Sequence, residues 1–256
     1  MILEVNDLRK VFHRDEVAVD GVSFAVPVGG SLAIVGESGS GKTTCARIVA
    51  GLEHATSGTI QLGDLSPKSG RKEKARVVQM VFQDPYQSLD RRQTVSSCLG
   101  EILDFHSDLD KSQRAEKIKD LLDLVGLDQR YATALPKQLS GGQRQRVAIA
   151  RALAPLPRLL ILDEAVAALD VSIQAQILNL LVDARAATGV GYLFITHDLS
   201  VVRHVCDDVI VMRRGQVVER GPVEKVLGDP THDYTKKLVG SIPRPGWVPA
   251  RGSTRD

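Results

Sequence analysis

The stretch SLAIVGESGSGKTTCARIVAGL, residues 31–52, joins a short apolar run, a glycine-rich segment and a run of helix-forming residues. Residues 36–43, GESGSGKT, match the P-loop pattern Gly-x4-Gly-Lys-Thr at every fixed position. The apolar run before them predicts a buried strand, and the residues from Lys42 predict a helix that ends at Gly51. This strand, loop and helix order is the context in which the pattern holds phosphates, so it predicts a P-loop α/β core.

The residue types of this loop suit a nucleotide triphosphate. Its glycines let consecutive backbone N–H groups curl round a β-phosphate, Lys42 reaches the β and γ oxygens, and the Thr43 hydroxyl is placed for Mg²⁺. The predicted ATP-binding residues of the loop are Gly36, Glu37, Ser38, Gly39, Ser40, Gly41, Lys42, Thr43 and Thr44.

A second apolar run, LLILDE at residues 159–164, delivers two carboxylates to the end of a predicted strand. Alone, this pattern is also typical of a buried strand with polar residues after it. Beside a P-loop, Asp163 suits the metal, through water or directly, and Glu164 can act as general base toward the attacking water.

Three further residues are candidates for the same site. His197 in YLFITHDLS and Gln83 in VVQMVFQ each follow an apolar strand pattern, and ligands of open α/β sheets bind at such strand ends. Phe12 has two open interpretations: a core aromatic, or a surface on which adenine stacks.

A second phosphate-binding pattern occurs at residues 139–146, LSGGQRQR. Ser140 can cap a helix whose first residues are Gly141 and Gly142, and a helix N-terminus attracts anions. The helix is predicted to run to Ala154, before Pro155. One nucleotide does not need two phosphate cradles, so the pattern raises the question of whose phosphate it binds.

The remaining chain predicts an α/β fold with an insertion. Short β segments (ILEV, GVSFAVPV, GTIQL) precede and follow the P-loop, ARVVQMVFQ at 75–83 predicts a strand, GYLFIT another, and DVIVMRRGQVVERG a hairpin that turns at Gly215. We expect a helical subdomain at about 86–157 within a domain of residues 1–240, and a flexible tail at 241–256. One helix of the insertion should bury a stripe of apolar residues before Gly126: Ala115, Ile118, Leu121, Leu122 and Val125.

Composition limits the possible functions. The 256 residues are 43% hydrophobic and 25% charged, and 33 Lys and Arg against 31 Asp and Glu give a net charge of +2, which does not favour nucleic acid as a partner. The cysteines (Cys45, Cys98 and Cys206) are far apart, as expected for a reduced compartment. We expect no membrane span and no signal peptide, so a membrane role should come through a partner.

Together these residues resemble the ATP-binding subunit of an ABC transporter. The order that carries the likeness is Phe12, residues 36–43, Gln83, LSGGQ, LLILDE, Asp170 and His197. The resemblance implies that Gln83 senses Mg²⁺ and the γ-phosphate, that Asp170 belongs to the D-loop, and that His197 contacts the γ-phosphate. It also implies a head-to-tail dimer, in which Leu139, Ser140, Gly141, Gly142 and Gln143 of one subunit bind the ATP held by the other.

Longer phrases, among them QDPYQSLDRR, ALDVSIQAQILNLL and THDYT, resemble the dipeptide, oligopeptide and nickel importer branch. This resemblance implies a peripheral protein at the cytoplasmic face, a second ATPase subunit of the same or a related kind, permease subunits and, indirectly, an extracytoplasmic solute-binding protein. Peptides are the expected cargo, with nickel or another small solute as the alternative. Tyr86 and Leu89 either contact the permease or pack within the insertion.

The sequence departs from the family pattern in two respects. Where the family has DEPxSALD, this chain has DEAVAALD, with Ala165 for proline and Ala167 for serine, so slower or less tightly coupled hydrolysis is expected. The chain also lacks the cysteine-rich cluster of some peptide-importer subunits, so no iron–sulfur cluster is expected.

The sequence disfavours two other classes of function. A soluble ABC ATPase acting on DNA or ribosomes generally carries a long coiled coil or a second cassette, and residues 83–140 show no sustained heptads. A regulatory module without catalysis is disfavoured because Lys42, Asp163, Glu164 and His197 are all present.

Overall fold

Two β-sheets organise the chain in a computed structural model, which describes residues 1–66, 68–84 and 89–241. Tyr86 and the predicted tail from residue 242 onward lie outside the described residues. The strands are β1 (Leu3–Val11), β2 (Val17–Val26), β3 (Ser31–Val35), β4 (Ser57–Leu62), β5 (Val78–Val81), β6 (Leu159–Asp163), β7 (Gly191–Thr196), β8 (Asp208–Arg213) and β9 (Gln216–Pro222). The α-helices are α1 (Lys42–Val49), α2 (Arg71–Val77), α3 (Val95–His106), α4 (Lys111–Leu124), α5 (Gly141–Leu153), α6 (Val171–Thr188), α7 (Leu199–Val205), α8 (Val223–Gly228) and α9 (Asp233–Gly240).

The larger sheet has six strands in the order β5-β6-β7-β3-β8-β9. All its strands are parallel except β9, which pairs antiparallel with β8 through the predicted turn at Gly215. The smaller sheet, in the order β2-β1-β4, is antiparallel throughout. The predicted P-loop α/β core with an N-terminal antiparallel β piece is confirmed.

The central strands are buried on both faces, which explains their continuous apolar runs. In β6, Leu159 and Ile161 face the cluster shared with the small sheet and α1, whereas Leu160 and Leu162 face the helical side. Alternate side chains of one strand therefore join two cores, as the period of two requires. These cores hold the carboxyl ends of the strands in place.

The insertion between β5 and β6 contains α3, α4 and α5, with 3-10 turns at Gln129–Thr133 and Pro136–Gln138. Thr94 caps α3 and Asp110 caps α4 through side-chain acceptors for backbone N–H groups. The helix predicted over 141–154 is present as Gly141–Leu153. The predicted apolar stripe of α4 is right for Ile118, Leu121, Leu122 and Val125, which are buried.

Two details of the prediction were wrong, and one open alternative is decided. Ala115 is exposed, because α4 turns only a narrow face to the core. The strand predicted over 75–83 begins at Val78, since the charged residues before it form the solvated helix α2. A Glu73 carboxylate that accepts the Gly70 N–H starts that helix. Of the two interpretations of Leu89, packing within the insertion is the one observed, since this residue is 6% exposed and lies in the insertion core.

Candidate active site

The predicted catalytic residues meet at one edge of the large sheet. The P-loop follows β3, Asp163 ends β6, and His197 follows β7. Parallel pairing aligns these ends, with Val35 opposite Thr196 and Asp163 opposite Ile195. Gln83 is exposed two residues after β5, whose last residue Val81 lies opposite Leu162. The carboxyl edge of the sheet therefore collects chemistry that the sequence disperses over more than 150 residues.

At two positions of the P-loop only glycine fits, because backbone atoms from other strands leave no room for a side chain. A Cβ at Gly36 would lie 2.2 Å from the Met212 carbonyl oxygen, and one at Gly41 would lie 2.3 Å from that of Ala18. Both residues also have positive φ, 152° and 100°, which side chains disfavour. Strand β8 and the small sheet thus shape the loop from outside.

Lys42 lies buried inside this loop. Its Nζ donates hydrogen bonds to the carbonyl oxygens of Gly36 at 2.8 Å and Glu37 at 2.7 Å. Burial lowers the pKa of Lys42, and the carboxylates of Glu164 and Asp163 oppose that shift. The ammonium therefore lies in the loop with carboxylates nearby, as expected of a group that exchanges carbonyl partners for phosphate oxygens.

Thr43 and Asp163 form the candidate magnesium site. The Thr43 hydroxyl donates to Asp163 Oδ1 at 3.1 Å, which brings two oxygen ligands together. Burial raises the pKa of Asp163, and the neighbouring Glu164 carboxylate adds to this. Mg²⁺ prefers oxygen ligands and typically uses one or two carboxylates together with substrate phosphates, so this donor set fits the ion.

Glu164 and His197 are brought into contact. His197 Nδ1 lies 3.3 Å from Glu164 Oε1, with the histidine largely exposed and the carboxylate partly buried. Glu164 also has φ of 49°, a left-handed conformation that is strained for a residue with a side chain, and its N–H donates to the Ile195 carbonyl. The chain thus bends sharply after β6 and turns the carboxylate toward the end of β7.

Asp198 connects this pair to α6. It caps α7 through Ser200 N–H, and its other carboxylate oxygen accepts from Gln174 at 3.3 Å. Burial raises the pKa of Asp198, but the hydrogen bonds from Ser200 and Gln174 outweigh it and lower the pKa. The residue that follows His197 is therefore hydrogen-bonded to helix α6.

Phe12 lies outside the core, which excludes the first of its two interpretations. Its ring is partly exposed after β1, and the Lys10 ammonium lies 4.7 Å from the ring centroid. Ala18, further along the same hairpin, contacts the P-loop at Gly41. Adenine stacking on Phe12 stays a prediction.

The signature segment, LSGGQ at residues 139–143, forms the capped start of α5. Ser140 Oγ accepts the Gln143 N–H at 3.3 Å, and Gln143 Oε1 accepts the Ser140 N–H at 2.8 Å. Leu139 is buried, whereas Ser140 and Gly141 are exposed. Among the described residues, no hydrogen bond joins this helix start to residues 36–44. The N-terminus of α5 is thus formed as a possible phosphate site that is separate from the P-loop of the same chain.

Gly142 has a packing role that the sequence did not reveal. It is buried against α6, and a Cβ there would lie 2.5 Å from Ile173 Cγ2. At Gly141 the nearest atom, from Leu169, is 3.9 Å away, an ordinary contact. The two glycines differ only in how closely a residue from another part of the chain approaches them. No local sequence signal could therefore have revealed the packing role of Gly142.

The D-loop presents a surface. Asp170 is exposed at the N-terminus of α6, and Val171 beside it is 83% exposed. Of the two departures from the family pattern, Ala165 is buried and Ala167 is exposed.

Comparisons with known proteins agree with this geometry. A family model described as ABC transporter matches residues 19–167. The di/tripeptide transport ATP-binding protein DppF of Pseudomonas aeruginosa is 44% identical over 235 residues, which cover 90% of this chain and 73% of that protein. The oligopeptide transport ATP-binding protein AppF of Bacillus subtilis is 44% identical over 257 residues, covering 94% and 78%.

A solved structure gives the same fold. The dimeric ATP-binding cassette MJ0796, in a post-hydrolysis state bound to ADP and Pi, aligns with a TM-score of 0.75 at 28% identity, over 86% of this chain and 98% of that one. No helix among the described residues is both long and apolar enough to cross a membrane. With the P-loop, the carboxylates and the signature helix in this arrangement, the chain belongs to the ABC transporter family, as an ATP-hydrolysing cassette.

Proposed function

We propose that this chain is the ATP-hydrolysing subunit of a peptide importer, acting at the cytoplasmic face of the membrane as half of a head-to-tail dimer. The observation that supports ATP hydrolysis is that five predicted site residues lie together at one edge of the large sheet: Lys42, Thr43, Asp163, Glu164 and His197. The cargo follows from the relatives, which are named for dipeptide, tripeptide and oligopeptide transport.

In the proposed reaction, water attacks the γ-phosphate of ATP and gives ADP and phosphate. Glu164 accepts the proton of that water as general base, and His197 holds the carboxylate and contacts the γ-phosphate. Lys42 leaves its carbonyl partners for the β and γ oxygens. Thr43 and Asp163 would hold Mg²⁺ with help from Gln83, and the ion supplies charge neutralisation on the phosphates.

The dimer explains the second phosphate cradle. The N-terminus of α5 exposes Ser140 and Gly141 to a partner, and a helix N-terminus binds an anion through its N–H groups and dipole. A γ-phosphate bound there would join the two subunits only while ATP is intact. ATP thus closes the dimer and hydrolysis releases it.

Glu164→Gln tests the catalytic assignment. The amide keeps the shape of the side chain but cannot take a proton, so turnover should fall by at least about 100-fold while ATP binding is retained. An ATP-bound dimer should accumulate in gel filtration. Glu116→Gln, on the exposed face of α4, is the matched control. Near-normal hydrolysis by Glu164→Gln would remove this residue from the role of base.

The permease contact is best placed in the cleft between α1, α2, β5 and α5. This cleft measures about 540 Å³, and exposed Leu52 and Phe82 lie on its wall with Met80, Ile102 and Ala148. Phe82 directly precedes Gln83. A permease segment bound in this cleft would therefore be coupled through the backbone to the residue proposed to sense Mg²⁺ and the γ-phosphate. An amphipathic permease segment fits a groove of this kind.

Co-purification from membranes tests the importer. The wild-type chain should be recovered with a multi-span protein, and Leu52→Glu should lose that protein while Leu156→Glu, equally exposed but remote from the cleft, retains it. In vesicles with the permease and binding protein, labelled peptide uptake should require ATP. Recovery only with ribosomes or DNA, or uptake of nickel and not peptide, would overturn the proposal.

A further inference from the structure

The last helix of the described chain, α9, is hydrogen-bonded to the P-loop through Tyr234. Tyr234, in the first turn of α9, is 5% exposed, and its hydroxyl oxygen accepts the backbone N–H of Glu37 at 3.0 Å. The two residues are 197 positions apart, so the bond joins the C-terminal helix to the loop that follows β3.

Glu37 links Tyr234 to Lys42 through hydrogen bonds of its backbone. Its carbonyl oxygen accepts the Lys42 ammonium at 2.7 Å. One residue therefore binds Tyr234 through its N–H and Lys42 through its C=O. The Gly36–Glu37 peptide is therefore held on both sides: its carbonyl oxygen accepts Lys42 at 2.8 Å, and its N–H donates to the tyrosine hydroxyl at 3.0 Å.

Tyr234 is itself held in place from several directions. The Arg213 guanidinium lies 4.9 Å from the centre of its ring, and its N–H donates to His232 Nδ1 at 3.1 Å. The Glu219 carboxylate accepts the N–H groups of Thr231 at 2.8 Å and His232 at 3.1 Å. A side chain fixed at its ring and its backbone can position a neighbour accurately.

The geometry points to Tyr234 as a positioning residue for ATP binding. It holds the Glu37 peptide, and through it the start of the P-loop and Lys42, in the arrangement that receives phosphate. This role rests on the proposed ATP site. It assigns the helix α9, which lies outside the residues matched by the family model, a part in nucleotide affinity.

Tyr234→Phe removes the hydroxyl and keeps the ring against Arg213. We expect the Kd of a fluorescent ATP analogue and the KM for ATP to rise about 3- to 10-fold, the effect of one hydrogen bond, with kcat within about 2-fold. Tyr192→Phe is the matched control, because Tyr192 is buried and its hydroxyl donates to the Leu181 carbonyl at 2.7 Å, away from the P-loop. The control should lower Tm without changing nucleotide affinity.

Hydrogen exchange supplies a readout independent of hydrolysis. In Tyr234→Phe the Glu37 amide should exchange faster than in the wild type, and in Tyr192→Phe it should not. If the wild type binds ATP but Tyr234→Phe leaves Kd or KM unchanged, or shifts them no more than Tyr192→Phe, the positioning role is wrong while the ATPase proposal stands. If the wild type itself binds no ATP, it is the proposed function that fails.

Discussion

Gly142→Ala tests whether the signature glycine is required for packing as well as for phosphate. The added Cβ would lie 2.5 Å from Ile173 Cγ2, far inside van der Waals contact. Ile173 is β-branched, so its Cγ2 cannot swing away without leaving its helical rotamer. Gly141→Ala is the matched control one residue earlier, where the nearest atom is 3.9 Å away.

The expected magnitude is a balance of two effects. Alanine gains about 1 kcal/mol over glycine in a helix, and overpacking a buried contact costs about 1–3 kcal/mol. Gly142→Ala should therefore lower the free energy of unfolding by about 1 kcal/mol, or Tm by about 2–4 °C. In an Ile173→Ala background the clash is gone, and the same change should raise stability instead.

The assay is a double-mutant cycle of the isolated subunit by urea and thermal unfolding, without nucleotide so that phosphate binding does not contribute. We expect a coupling energy of about 1–3 kcal/mol between positions 142 and 173 and a neutral or stabilising Gly141→Ala. A coupling below about 0.5 kcal/mol, the limit of additivity for independent sites, would refute the packing argument.

Three further predictions concern the dimer, the metal and pH. Mixing Lys42→Ala with Gly141→Asp subunits should restore roughly a quarter of the sites if pairing is random, as measured by ATPase rate; no recovery despite mixed dimers would contradict binding in trans. Asp163→Asn should raise the Mg²⁺ concentration needed for half-maximal hydrolysis at least about 10-fold, and an unchanged Mg²⁺ titration would exclude this ligand. Hydrogen bonds outweigh burial and lower the pKa of Glu219 to about 2, so its contribution to stability is present above pH 4.5 and lost as pH falls toward 2. The urea-midpoint difference between wild type and Glu219→Gln should shrink below pH 4.5, and it should not for the exposed Glu224→Gln.

The parts of the site that the sequence predicted are those in which chemistry demands certain residue types at fixed spacing. A phosphate cradle needs glycines next to Lys42, and an apolar strand must deliver Asp163 and Glu164 to its end. Because parallel strands end at one edge, these local patterns also indicate that the residues lie near one another, and in the structure His197 Nδ1 lies 3.3 Å from Glu164 Oε1.

The remaining features depend on contacts between distant elements or on local backbone geometry that the residue types do not signal. Whether Leu89 faces solvent is decided by the insertion core, and whether residues 71–77 form a helix is decided by solvated charges and a cap at Gly70. The bond from Glu37 to Tyr234 joins residues that no local pattern relates. The positive φ of Glu164 arises from the turn between β6 and the D-loop, and a glutamate gives no sequence signal for it.

The two departures in DEAVAALD should act differently in the proposed dimer. Ala165 is 2% exposed and directly follows the strained Glu164, so the missing proline should increase the freedom of the backbone of its own chain next to the proposed catalytic carboxylate. Ala167 is exposed, so a hydroxyl at this position would be available to the proposed second subunit, and its absence removes that possible contact. A defect from Ala165 therefore persists with any partner, whereas one from Ala167 depends on which subunit stands opposite.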